Sequence, residues 1–219
     1  MRIISKLLMI CVVAFSTRVF CQEVTHSSSI PNSAHTSCEH NRGSRPGWQT
    51  KSHTKKIIPD VELTTHQGEK VNFYHNLVEN KVVAINFIYT TCMAVCPAQG
   101  RNFSNLQSAL GHKLGKDVHL ISVTFDPVVD TPKRLKEWGV RFQARPGWTF
   151  VTGPKHEIDR LLSNLTGGVP EKGQHTPGVL IINDLRDVWI YGDGNASSAQ
   201  IIALIEKTKE LSPNGTVKQ

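Results

Sequence analysis

The run Lys81–Tyr89 (KVVAINFIY) constrains this chain more than any other stretch. It is apolar almost without interruption and rich in β-branched and aromatic residues, so it does not alternate as a half-exposed strand would. That is the pattern of a strand buried on both faces. Such a strand must be covered from both sides, which points to a layered α/β domain. The run leads straight into Thr90–Pro97 (TTCMAVCP) and so delivers two cysteines, Cys92 and Cys96, at its end.

The rest of the domain follows from periodicity. Val61 and Leu63 alternate with Glu62 and Thr64, an edge strand; His66–Glu69 is a turn, and Val71 and Phe73 resume the alternation. Phe103, Leu106 and Leu110 recur at helical spacing after the cysteines, with Gly111 as a stop. Val118–Phe125 reads as a second buried strand. Asp130-Thr131-Pro132 reads as a helix start with a capping side chain ahead of proline, and that helix carries Leu135 and Trp138. Trp148–Val151 is a short strand and Lys155–Leu165 a helix. Val179–Ile182 and Val188–Tyr191 form a hairpin around Asp184–Asp187, and Ser197–Glu210 closes the pattern as a helix. A βαβ unit followed by a ββα unit resembles the thioredoxin arrangement, so the expected fold is thioredoxin-like α/β, a central mixed sheet flanked by helices.

Residues 1–21 read as a secretory signal, expected to send the chain out of the cytoplasm. Arg2 and Lys6 precede the apolar run Leu7–Phe15, and Ser16 and Cys21 are alternative cleavage points. The run falls short of the ~20 residues that span a bilayer. Uncleaved, the same segment would be a membrane anchor. Residues 22–56 are polar and read as a flexible arm; His35, Cys38 and His40 within it read as solvated residues. The domain is expected over 57–211, followed by a tail, 212–219. The net charge of +7 includes three basic residues of the signal. The remaining excess serves solubility, and no basic stripe with interleaved aromatics indicates nucleic acid.

The chemistry centres on Cys92 and Cys96. Pro97 suits the first helical turn, and the residue before a proline avoids helical geometry, which predicts Cys96 near the N-cap and Cys92 in the loop above the strand. A thiol there meets the positive end of a helix, which favours thiolate, the form that attacks disulfides and binds soft metals. In an oxidising compartment the pair can also close as a disulfide. The three-residue spacing exceeds the two-residue spacing of disulfide oxidoreductases and leaves room for both sulfurs on one soft ion. In a thioredoxin-like fold, the loop leading into the Val179–Ile182 strand lies against the cysteine loop. His175, with Thr176 and Pro177 beside it, is therefore the candidate third ligand.

Phe87–Pro97 resembles the cysteine motif of the Sco/SenC family, F-x-[FY]-T-x-C-x-x-x-C-P. Pro59–Leu63 with Gly68, Ser122–Pro127 with Asp130–Pro132, and His175-Thr176 resemble further segments of that family, over roughly residues 58–208. The resemblance implies copper, Cu(I) or Cu(II), held by Cys92, Cys96 and His175. It implies a periplasmic or intermembrane-space location and a copper-receiving partner, the Cu(A) subunit of cytochrome c oxidase. Some members look more like thiol–disulfide reductases of that centre, which would make Cys92 and Cys96 a catalytic redox pair served by a thiol–disulfide reductant. Asp126 and Asp130 carry over as partner-facing or loop-ordering residues, with a helix cap as the simpler reading of Asp130. A metal-free thiol–disulfide oxidoreductase and a peroxidase-like thioredoxin relative are the competing functions.

Overall fold

A computed structural model describes residues 49–52, 58–169 and 178–211. The signal-like segment 1–21, most of the arm, His175 with its loop, and the tail 212–219 lie outside the described residues. The strands are β1 (Gln49–Ser52), β2 (Glu62–Thr65), β3 (Lys70–Asn72), β4 (Val82–Ile88), β5 (His119–Thr124), β6 (Trp148–Thr152), β7 (Gly178–Asn183) and β8 (Val188–Asp193). The helices are α1 (Cys96–Leu110), α2 (Pro132–Arg141), α3 (Lys155–Thr166) and α4 (Ser198–Glu210).

The strands form one mixed sheet in the order β1-β8-β7-β4-β5-β6-β2-β3. β4 occupies its interior, parallel to β5 and antiparallel to β7, and all seven of its residues are buried. The doubly buried strand expected from the apolar run is therefore present. Alternate residues serve opposite layers. Val82, Ala84 and Ile88 face a core built with Phe103 and Leu106 of α1, Leu135 and Trp138 of α2, and Ile201 and Ile205 of α4. Val83, Ile85 and Phe87 face the other core, with Ile158, Leu161 and Leu162 of α3. The period of two along β4 thus assigns each residue to one layer.

Two differences from the periodic reading have simple causes. β1 lies inside the stretch assigned to a flexible arm, yet pairs antiparallel with β8, Thr50 opposite Ile190. Its sequence, QTKS, has no apolar alternation, and an edge strand held through main-chain hydrogen bonds needs none. The strand expected through Val71 and Phe73 ends at Asn72. Phe73 instead opens a helical turn, Phe73–Val78, that buries Phe73 and Val78. The closing helix is as expected: Ser197 Oγ accepts from the Gln200 N–H at 3.3 Å, and Gln200 Oε1 accepts from the Ser197 N–H at 2.8 Å, a reciprocal cap.

A polar pair lies between β4 and β5 within the core. Asn86 of β4 stands opposite Ser122 of β5, both buried. Ser122 Oγ donates to Asn86 Oδ1 at 2.6 Å and accepts from Trp148 Nε1 at 2.9 Å. Removing the middle member leaves the indole N–H and the amide oxygen unpaired in an apolar layer. Ser122→Ala is expected to lower unfolding stability by about 1–3 kcal/mol, read as a lower denaturant midpoint at unchanged slope.

Candidate functional site

The cysteine loop crosses from the end of β4 to the start of α1. The Cys92 N–H donates to the Tyr89 carbonyl at 3.1 Å, which folds the chain back immediately after the strand. Cys92 is 2% exposed and Cys96 fully buried, and both are free thiols packed into the α1–α2 core. Cys96 is the first residue of α1 and Val95 its N-cap, so Cys96 sits one position deeper in the helix than expected. Val95 has no side chain able to cap. The Cys92 sulfur fills that role, accepting from the Cys96 N–H at 3.4 Å. Cys92, not Cys96, therefore receives the positive end of the helix.

The two thiols consequently diverge. Burial pushes Cys92 up, but the hydrogen bonds it accepts from the Cys96 thiol, the backbone at Cys96 and Ala94, and the Tyr89 side chain outweigh burial and hold it below the ordinary thiol value. Cys96 is pushed up to about 12, first by burial, then by its hydrogen bond to Cys92, with the negative charge of Asp130 adding a smaller push. The downward push expected at a helix start is found at Cys92 and reversed at Cys96.

Asp130 also differs from its simplest reading. Thr131 caps α2, its Oγ1 accepting from the Arg134 N–H at 3.3 Å. Asp130 is fully buried. Its carboxylate accepts from the Thr90 N–H at 3.1 Å and from the hydroxyls of Thr90 and Thr124 at 2.5 Å. It pins the residue two before Cys92 to the end of β5. Asp126, also buried, donates its N–H to Thr124 Oγ1 at 3.0 Å.

Gln99 was not singled out by the sequence. It is buried and donates from Nε2 to the Gly178 carbonyl at 3.4 Å, joining the first turns of α1 to the start of β7. A Cβ on Gly178 would stand 2.2 Å from the Tyr191 hydroxyl, so glycine makes room for that ring where the chain joins β7. The signal for Gln99 was its spacing: with Cys96, Phe103, Leu106 and Leu110 it shares the buried face of α1, a polar residue where the period demands an apolar one. Among the described residues, no group of three or more His, Cys, Asp and Glu side chains is arranged to hold a metal ion. Cys92 and Cys96 supply two soft donors, and His175 lies outside the described residues.

Two outcomes follow from this geometry. In the metal-free reduced protein, Cys96→Ala removes a donor to the Cys92 sulfur, so thiolate absorbance from Cys92 should appear at higher pH than in the parent. Asp130→Asn places an amide against three donors that need an acceptor; it should destabilise the fold by about 2–3 kcal/mol in chemical unfolding.

The SCO1/SenC family model matches residues 49–210. The chain is 32% identical over 108 residues to the SCO1 protein homolog of Bacillus subtilis, covering 49% of this chain and 54% of that protein. It spans about half the length of the relatives it matches. Among solved structures, it resembles BsSco, described as a member of the Sco family of cytochrome c oxidase assembly proteins with a disulfide switch. That match has a TM-score of 0.59 and 20% identity, over 74% of this chain and 99% of that one. It also resembles Bradyrhizobium japonicum ScoI with copper bound, TM-score 0.56 and 22% identity, over 69% of this chain and 99% of that one. At these identities the structures show the fold, the expected thioredoxin-like mixed α/β arrangement. With the family match spanning the sheet, its helices and the cysteine loop, the chain belongs to the SCO1/SenC family.

Proposed function

We propose that this protein binds one copper ion through Cys92, Cys96 and His175 and delivers it to the Cu(A) site of a cytochrome c oxidase or a related copper enzyme. The observation that carries this reading is the pair of free, buried thiols at the junction of β4 and α1, in a domain of the SCO1/SenC family. Soft sulfur donors select Cu(I), and the pair is too few for a closed zinc site, which takes four ligands. The copper-bound state of Bradyrhizobium ScoI and the oxidase-assembly description of BsSco support the cargo and the recipient by family membership. His175 precedes Gly178 by three residues, and the Gln99–Gly178 hydrogen bond ties the start of β7 to the cysteine helix, which supports His175 as the third ligand.

The location that fits is outside the cytoplasm, in the periplasm or anchored facing it, from the basic start and apolar run of residues 1–21. No helix among the described residues is long and apolar enough to cross a membrane.

A second reading, thiol–disulfide exchange with cysteines of the copper-site partner, has one observation in its favour. A low Cys92 beside a high Cys96 is the division between an attacking thiol and a protonated thiol held in reserve. A partner disulfide would be attacked by Cys92, releasing one partner thiolate. Cys96, once deprotonated, would then close the Cys92–Cys96 disulfide and free the second, and an external thiol reductant would restore the pair.

Copper titration of the reduced chain should saturate at one ion. Cys92→Ser or Cys96→Ser should each lower Cu(I) affinity by more than the ~10–100-fold that loss of an outer-shell partner causes; full affinity in either variant removes copper from this pair. His175→Ala should weaken Cu(II) more than Cu(I) and abolish the charge-transfer absorption of the Cu(II) form, while disulfide exchange survives. A His175→Ala protein that binds Cu(II) like the parent makes the exchange reading the better one.

A further inference from the structure

Both thiols are hidden, 2% and 0% exposed, so an ion arriving from solvent meets the loop before it meets either sulfur. The exposed side chains of that loop are Thr91, Met93 and Ala94. Met93 stands out. It is 93% exposed, it lies between the two cysteines in sequence, and its thioether is a soft donor. The Thr91 hydroxyl is a hard donor and Ala94 has none, so Met93 carries the loop's exposed soft donor atom.

We propose that the Met93 thioether is the first docking ligand for incoming Cu(I), and its last contact on release. This rests on the copper reading above. The step is ligand exchange without electron transfer. A bond from Cu(I) to Met93 Sδ forms as one bond to the donor's ligand breaks. The Cys92 sulfur then replaces the thioether as the donor's last bond to Cu(I) breaks, and Cys96 joins, each thiol proton leaving to solvent. A thioether is neutral and binds weakly, so it is displaced by thiolate readily, which suits a transfer contact and not a resting one. Val128, 75% exposed on the loop that leads from β5 to Asp130, has no donor atom and takes no part.

The test uses the full reduced chain and Cu(I) held by a chromogenic chelator, with uptake followed by stopped-flow absorbance. Met93→Leu keeps an apolar side chain without sulfur, and Met93→Ala removes both. Both variants should take up Cu(I) about tenfold more slowly, equivalent to one tenfold step in rate, while the equilibrium affinity stays within about twofold. A second readout is independent of transfer. The chain has three methionines, the other two being Met1 and Met9, so methyl-labelled methionine gives a resolvable Met93 signal. In a Cys92→Ser, Cys96→Ser chain, where no thiolate displaces the thioether, it should shift as Cu(I) is added. If Met93→Leu matches the parent and only Met93→Ala is slow, the side chain is an apolar contact and the proposal falls. Parent-like rates in both variants, or a methyl signal that never moves, overturn it too. A parent chain that binds no Cu(I) overturns the copper reading itself, a result distinct from all of these.

Discussion

The bond from the Cys96 N–H to the Cys92 sulfur governs the site. A helix that begins at Cys96 behind an N-cap valine has no side-chain cap from that valine, and the Cys96 N–H is answered by a sulfur four residues back. That contact joins the loop to the helix start and, with the Cys96 thiol, holds Cys92 below the ordinary thiol value, while burial first pushes Cys96 up. The Tyr89 turn behind it and the Asp130 clamp at Thr90 fix the loop's other end. The site is therefore rigid at both ends and open to water at its middle, where Met93 sits.

The clamp works because a buried carboxylate with several donors is a strong fixed point. Thr124 ends β5 and Thr90 lies just past the end of the adjacent parallel strand β4, and Asp130 bridges them from the turn ahead of α2. Among the described residues, its carboxylate is met by hydrogen-bond donors and by no ion pair. The same charge disfavours thiolate at Cys96. Asp130 thus holds the loop and adds a smaller push to Cys96.

Much of this was legible in the sequence. The apolar run of β4, the hairpin strands β7 and β8, and the α4 start at Ser197 all follow from burial and capping chemistry. Cys92 and Cys96 were found from their place between a buried strand and a proline. What escaped was decided by individual hydrogen bonds. Asp130 and Thr131 are equally good caps on paper, and only the position of Thr90 in space draws Asp130 away. Gln99 broke the apolar period of α1, a signal that its spacing carried. β1 left no pattern, since a strand that contributes backbone alone writes nothing into side-chain order.

That backbone contribution has a bearing on solubility. β8 carries Val188, Trp189 and Ile190, all buried, and without a neighbour its outer side would present a row of open amide and carbonyl groups along a hydrophobic strand. Such a margin templates pairing between molecules and seeds aggregation. β1 occupies it with a short polar segment, and at the opposite margin β3 is three residues long and begins with a lysine. Short, polar strands at both margins leave little of the sheet open to pairing with its own copies.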